Sequence, residues 1–145
     1  MTAFAKVGII SGGFDPLHSG HIKYIQAAAL ECDILIVGVN SNDWLERKKG
    51  KYFLHFDERQ CILEHVIGVQ RVMSFDDSDD SAIDLINKVK AEYEGSSEVI
   101  FMNGGDRTKE NIPEMSVDGV TFLFGVGGED KTNSSSWILK NWEIT

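Results

Sequence analysis

Short β-branched runs alternate with helix-like segments along this chain. Residues 6–10 (KVGII) read as a first strand, ending at the turn formers Ser11, Gly12 and Gly13. From residue 20 to about 31, Ile22, Ile25, Ala28 and Ala29 recur at helical spacing. Residues 33–39 (DILIVGV) form a near-continuous apolar run, expected of a strand covered on both faces. Ser41, Asn42 and Asp43 offer N-caps for a short helix through Trp44 and Leu45, and the basic residues 47–51 read as turn-prone. Residues 57–67 put Ile62, Leu63, Val66 and Ile67 on one helical face, and residues 69–75 read as a third strand. An acidic turn at 76–81 feeds a helix over 82–93. A fourth strand at 98–102 and a polar loop at 104–113 follow. A fifth strand at 120–124, a glycine-rich loop and a last helix from about Ser134 complete the order.

This alternation predicts an α/β fold, a parallel sheet with helices on both faces. In such sheets ligands sit at the carboxyl ends of the strands, where chemistry is therefore expected. No repeat, low-complexity tract or linker interrupts the pattern, so residues 1–145 are expected to form a single domain.

Composition narrows the function classes. The net charge of −9 argues against binding to nucleic-acid backbone, whose affinity comes mainly from clustered Lys and Arg. No apolar run approaches the ~20 residues of a membrane helix, and the short apolar run 7–10 does not resemble a secretory signal. The expected location is cytoplasmic, with no membrane partner. Cys32 and Cys61 form no CxxC pair and read as buried free thiols. An acidic protein still binds a nucleotide if local cations, helix N-termini or a divalent ion offset its own field.

The strongest chemical signal lies between the first strand and the first helix, in Gly12-Gly13-Phe14-Asp15-Pro16-Leu17-His18-Ser19-Gly20-His21. Two glycines permit a tight turn and close backbone approach to a ligand. His18 and His21, three residues apart at a helix start, can face the same side, and Gly20 leaves room between the rings. The helix N-terminus itself offers free N–H groups and positive dipole character to phosphates. Three other readings compete: polar surface histidines, a zinc pair, and a dinucleotide-binding turn. Zinc lacks third and fourth ligands at suitable spacing. GxGxxG is absent after the first strand, as is GxxxxGK[ST].

The segment GGFDPLHSGH resembles the HxGH-motif nucleotidyltransferases, which include cytidylyltransferases and adenylyltransferases. Later segments resemble that family in order: LIVGVNSNDWLERKKGK its second strand and lysine-bearing loop, and FDERQCIL its arginine-bearing helix. MNGGDR is similar to the loop after its fourth strand, and TNSSSWI to the Ser-rich start of its final helix. The resemblance implies a Rossmann-like three-layer sandwich whose five parallel strands run in the order 3-2-1-4-5. It implies that His18, His21 and Lys51 are catalytic, the histidines contacting the triphosphate and Lys51 reaching its phosphates or the acceptor phosphate. Arg59 is implied to contact the acceptor, and Asp15 to shape the loop or lie near the metal and acceptor. Gly12, Gly13, Phe14 and Gly20 belong to the nucleotide-binding set. So do Gly104, Gly105, Asp106 and Arg107, beside base and ribose, and Ser134, Ser135 and Ser136, holding the β- or γ-phosphate. Mg2+ is expected to accompany the nucleoside triphosphate, with no residue assigned as its ligand, and a homodimer is expected. Lys131 and three serines stand where the family often has arginine and Ser-Thr-Thr.

The expected activity is transfer of a nucleoside monophosphate from CTP or ATP to a small phosphorylated acceptor such as a polyol or sugar phosphate, with release of pyrophosphate. Length and landmarks resemble glycerol-3-phosphate-type cytidylyltransferases, whereas the GGDR loop resembles heptose-phosphate adenylyltransferases. A non-catalytic nucleotide-sensing domain of the same fold is the alternative. A tRNA synthetase fragment is disfavoured by the small, acidic chain. Residues 76–80 (DDSDD) do not make an EF-hand, since Ala82 stands where glycine is needed and the bidentate Glu is missing.

Overall fold

The computed structural model describes residues 5–96, 98–105, 112–128 and 134–143. Five strands, β1 (Lys6–Gly12), β2 (Ile34–Val39), β3 (Arg71–Met73), β4 (Glu98–Met102) and β5 (Thr121–Leu123), form one sheet. Its order is β3-β2-β1-β4-β5 and every neighbouring pair is parallel. The helices are α1 (Ser19–Ala29), α2 (Asn42–Lys49), α3 (Phe56–Glu64), α4 (Ile83–Glu92) and α5 (Ser135–Glu143), with a 3-10 turn at Pro113–Ser116. The fold is the α/β architecture and strand order expected above.

Alternation along the strands builds two cores. Val7, Ile9, Ile36, Val99 and Phe101 pack with Leu85, Ile86 and Val89 of α4. Ile10, Leu35, Val37, Val39, Ile100 and Met102 pack on the other face with Ile25 and Ala28 of α1 and Leu63 of α3. The sheet is therefore covered on both sides, which explains the unbroken apolar reading of β2. Gly38 is required within it: a Cβ there would lie 2.2 Å from Leu85 Cδ2, so α4 packs directly against the backbone of β2.

Three local expectations change. Arg47, Lys48 and Lys49 form the last turn of α2, not a loop, because three cations suit the negative end of a helix. Gly50, at φ +87°, then ends the helix in the left-handed region. Helix α3 stops at Glu64, leaving Ile62 and Ile67 exposed, so only Leu63 of the supposed apolar face is fully buried. Cys61 is exposed and Cys32 half-buried, against the expectation of two buried thiols. Burial and nearby carboxylates raise the pKa of the Cys32 thiol.

Candidate active site

The chain leaves β1 at the centre of the sheet, next to the boundary with β4 where the strand order reverses. A crevice opens there at the carboxyl ends of the strands. Phe14 takes a left-handed conformation, φ +51°, unusual for a bulky residue, and is held there by burial against the ring of His21, 5.0 Å away between centroids. Gly13 lies so close to α2 that a Cβ would meet Leu45 Cδ2 at 2.9 Å. Asp15 is buried, and its two carboxylate oxygens accept from the backbone N–H groups of Phe53 and Leu54, each at 2.6 Å. It therefore staples the α2–α3 connection to the turn after β1.

His18 is the N-cap of α1. Its Nδ1 accepts from the Gly20 N–H at 3.0 Å, while His21 Nδ1 accepts from the His18 N–H at 3.2 Å. This is a reciprocal capping box built from two imidazoles. A ring nitrogen that accepts carries no proton, so each neutral ring holds its hydrogen on Nε2. The rings lie against each other with centroids 3.9 Å apart and planes inclined by 34°. The pKa of His21 is pushed down to about 3, chiefly by burial and further by His18 and Lys49. At neutral pH it is an uncharged donor.

Both histidines line a cavity of about 880 Å³. Ser134 caps α5, its Oγ accepting from the Trp137 N–H at 3.0 Å, and the Ser135 hydroxyl donates to the Pro16 carbonyl at 2.9 Å. That second bond ties the start of α5 to the loop entering α1, so two helix N-termini share one cavity. Lys23 and Lys49 add cationic side chains to its wall. Backbone N–H groups, imidazole rings and lysines together make a candidate anion site, on a cavity that Asp80 and Glu114 also line.

The expected residues divide into wall and scaffold. Gly12, His18, Gly20, His21, Gly104, Gly105, Ser134, Ser135 and Ser136 line the cavity. Gly13, Phe14 and Asp15 shape the turn behind it. Lys51 is exposed and absent from the wall, where Lys49 stands instead. Arg59 departs furthest from its expected place. It is 1% exposed, and its guanidinium donates to the carbonyls of Leu54, Gly13 and Asn40 and to Asn42 Oδ1. These bonds lock three loops together and turn the side chain inward, which corrects the reading of Arg59 as an acceptor-facing residue. Asp106 and Arg107, and Lys131, lie outside the described residues.

Other wall residues escaped the sequence reading: Tyr24, Asn40, Trp44, Asn103 and Glu114. Asn40 and Asn103 each follow directly on a buried strand, and a polar residue at a strand's carboxyl end is a signal that could have found them. Asn40 donates to Asp77, whose carboxylate also accepts from the backbone N–H and the hydroxyl of Ser41. The acidic turn thus anchors the start of α2. Among the described residues no group of three His, Cys, Asp or Glu converges as a metal site would need.

Residues 9–124 match the family model described as cytidylyltransferase-like. The bifunctional protein HldE of Trichlorobacter lovleyi is 34% identical over 144 residues, covering 94% of this chain and 28% of its own. The protein of the same name from Rhodopseudomonas palustris (strain BisA53) is 36% identical over 109 residues, covering 74% of this chain and 20% of its own. The chain thus spans 20% to 28% of the length of these curated relatives. Among solved structures, a lipopolysaccharide core biosynthesis protein from Thermoplasma volcanium aligns with TM-score 0.61 at 21% identity, over 83% of this chain and 95% of that one. A bifunctional NMN adenylyltransferase/ADP ribose pyrophosphatase from Francisella tularensis gives 0.65 at 15% identity, over 97% and 42%. These two likenesses speak for the fold. With the strand order, the paired histidines and a family match that spans most of the chain, this protein belongs to the cytidylyltransferase-like family.

Proposed function

We propose that this protein is a nucleotidyltransferase that moves a nucleoside monophosphate from CTP or ATP, carried with Mg2+, onto a small phosphorylated acceptor. A phosphate oxygen of the acceptor attacks the α-phosphorus, the bond from that phosphorus to the α,β-bridging oxygen breaks, and pyrophosphate leaves with the electron pair. The attacking group is already an anion, so the reaction needs no strong base. Catalysis then reduces to alignment and to stabilising the charge that moves onto the leaving group.

The observation that carries this reading is the pair of imidazoles at the start of α1. Their Nδ1 atoms accept from backbone N–H groups, which puts the ring proton of each neutral imidazole on Nε2, and both residues line the cavity. Such donors are held in place before substrate arrives and need no reorganisation during transfer. The capped N-terminus of α5 and Lys49 stand on the same cavity wall and supply the remaining positive field.

Pyrophosphate release measured across CTP, ATP, GTP and UTP, each with a panel of phosphorylated polyols and sugars, tests the proposal. Turnover with one nucleotide and one acceptor class is the expected outcome. Nucleotide binding without turnover on any acceptor would contradict it and favour the nucleotide-sensing alternative.

A further inference from the structure

Two buried side-chain atoms among the described residues find no hydrogen-bond partner: Asn103 Nδ2, a donor, and Glu114 Oε1, an acceptor. Both residues line the same cavity. A buried polar atom left unpaired costs about 1–3 kcal/mol, so native proteins retain few of them. Two opposite hydrogen-bonding functions thus lie unpaired and sealed from solvent in side chains of one cavity wall, where a bound molecule could draw them out.

Their position in the fold says which part of a substrate they meet. Val99 and Phe101 of β4 face the α4 side of the sheet, whereas Ile100 and Met102 face the α1 side. Continuing that alternation one residue beyond β4 puts Asn103 on the α4 side. Glu114 lies there as well, since its Oε2 accepts from the Ala82 N–H at the start of α4, at 2.6 Å. Phe75, Ser81 and Ala82 complete this part of the wall. The histidines and the α5 N-terminus belong to the other half of the cavity. The α4 half is thus separate from the anion site and poorer in cations.

We infer that Glu114 and Asn103 are specificity-determining residues that read hydroxyl groups on the carbon skeleton of the acceptor. A hydroxyl both donates and accepts, so vicinal hydroxyls satisfy a carboxylate oxygen and an amide N–H together. An ammonium group would satisfy Glu114 and leave Asn103 unpaired, which favours a polyol or sugar phosphate over an amino-alcohol phosphate. The terminal torsions of Glu and Asn have broad wells, so either group can turn its unpaired atom toward a bound molecule, with Glu114 adjusting its bond to the Ala82 N–H as it does so. This inference rests on the transfer reaction proposed above.

Steady-state kinetics and calorimetry on the whole chain test it, with glycerol 3-phosphate, a hexose 1-phosphate and phosphoethanolamine as probes. Glu114→Gln retains an amide oxygen for the Ala82 N–H, and Asn103→Ala removes the open donor. Each should raise KM for the hydroxylated acceptor about tenfold or more and leave KM for the nucleoside triphosphate unchanged. A merely structural role for either residue would not split the two constants. The calorimetric arm measures binding of the same probes beside a non-hydrolysable nucleotide and does not depend on turnover. Weaker binding of a hydroxylated probe by both variants supports the subsite even if the wild type transfers nothing, an outcome that would refute the reaction alone. Equal affinity in wild type and variants, preference for phosphoethanolamine, or failure of every hydroxylated probe to bind would overturn the inference.

Discussion

The imidazoles at positions 18 and 21 do two jobs with their two nitrogens. Each Nδ1 closes a backbone turn of α1, and each Nε2 is thereby the protonated atom in the neutral ring. His18→Ala removes both functions, while His18→Asn keeps an N-cap and loses the ring. The alanine variant should lose about 0.5–2 kcal/mol of stability in a denaturant melt and the asparagine variant much less. Both should lower kcat about 10²–10³-fold in a pyrophosphate-release assay, by analogy with a lost oxyanion donor. His21 carries a pH signature. Its pKa is about 3 in the folded protein against about 6.5 in the unfolded chain. Between those values the unfolded chain binds more protons, so the contribution to stability is full above about pH 6.5 and is lost as pH falls towards 3. Melting temperature followed over that window should fall less steeply with acid in His21→Gln, which retains a side-chain acceptor at N3 for the capping box. Equal slopes in the two proteins would contradict the burial of a neutral ring.

At the scale of elements, helix α2 and its connection to α3 position the cationic and structural side chains. Arg47 of α2 bonds to the Asp77 carbonyl and to Asp80, and Lys48 lies over the Trp44 ring at 5.6 Å from its centroid, whereas Lys49 lines the cavity. Lys49→Ala should therefore lower kcat/KM at least about tenfold, a loss of about 1.4 kcal/mol of transition-state stabilisation, and Lys51→Ala much less. The opposite order in steady-state kinetics would return the role to Lys51. Arg59 crosses from α3 to three backbone carbonyls, so Arg59→Leu should cost about 3 kcal/mol or more in equilibrium unfolding, with Gly13, Asn40 and Leu54 left short of a donor. A variant of Arg59 with unchanged stability would contradict the clamp. These two residues also show where sequence reading stops. The glycine turn and histidine spacing were legible because they depend on neighbours in the chain. Which of Lys49 and Lys51 faces the site depends on whether α2 extends by one more turn, and no local pattern decided that. An arginine buried in a polar helix has no periodic signature, and its partners lie 5 to 46 residues away. Glu114 was hidden for the same reason: it follows a polar loop and meets Ala82 only through the fold.

Over the whole molecule, strand order places the turn after β1 beside the reversal between β1 and β4, and a chain of net charge −9 brings Lys23, Lys49 and two helix N-termini to one cavity wall. That order was legible from alternating elements together with the resemblance to HxGH-motif proteins, because covered parallel strands announce themselves as unbroken apolar runs. The two halves of the cavity were not, since they arise only when β4 sends alternate side chains to opposite layers. The central claim is that Nε2 of His18 and His21, with the N-termini of α1 and α5, receives a nucleoside triphosphate. A crystal structure of the protein with a non-hydrolysable CTP or ATP analogue tests it most directly. The account predicts both Nε2 atoms within about 3 Å of phosphate oxygens and the polyphosphate lying between the two helix starts. A nucleotide bound elsewhere, or rings turned from the phosphates, would contradict it.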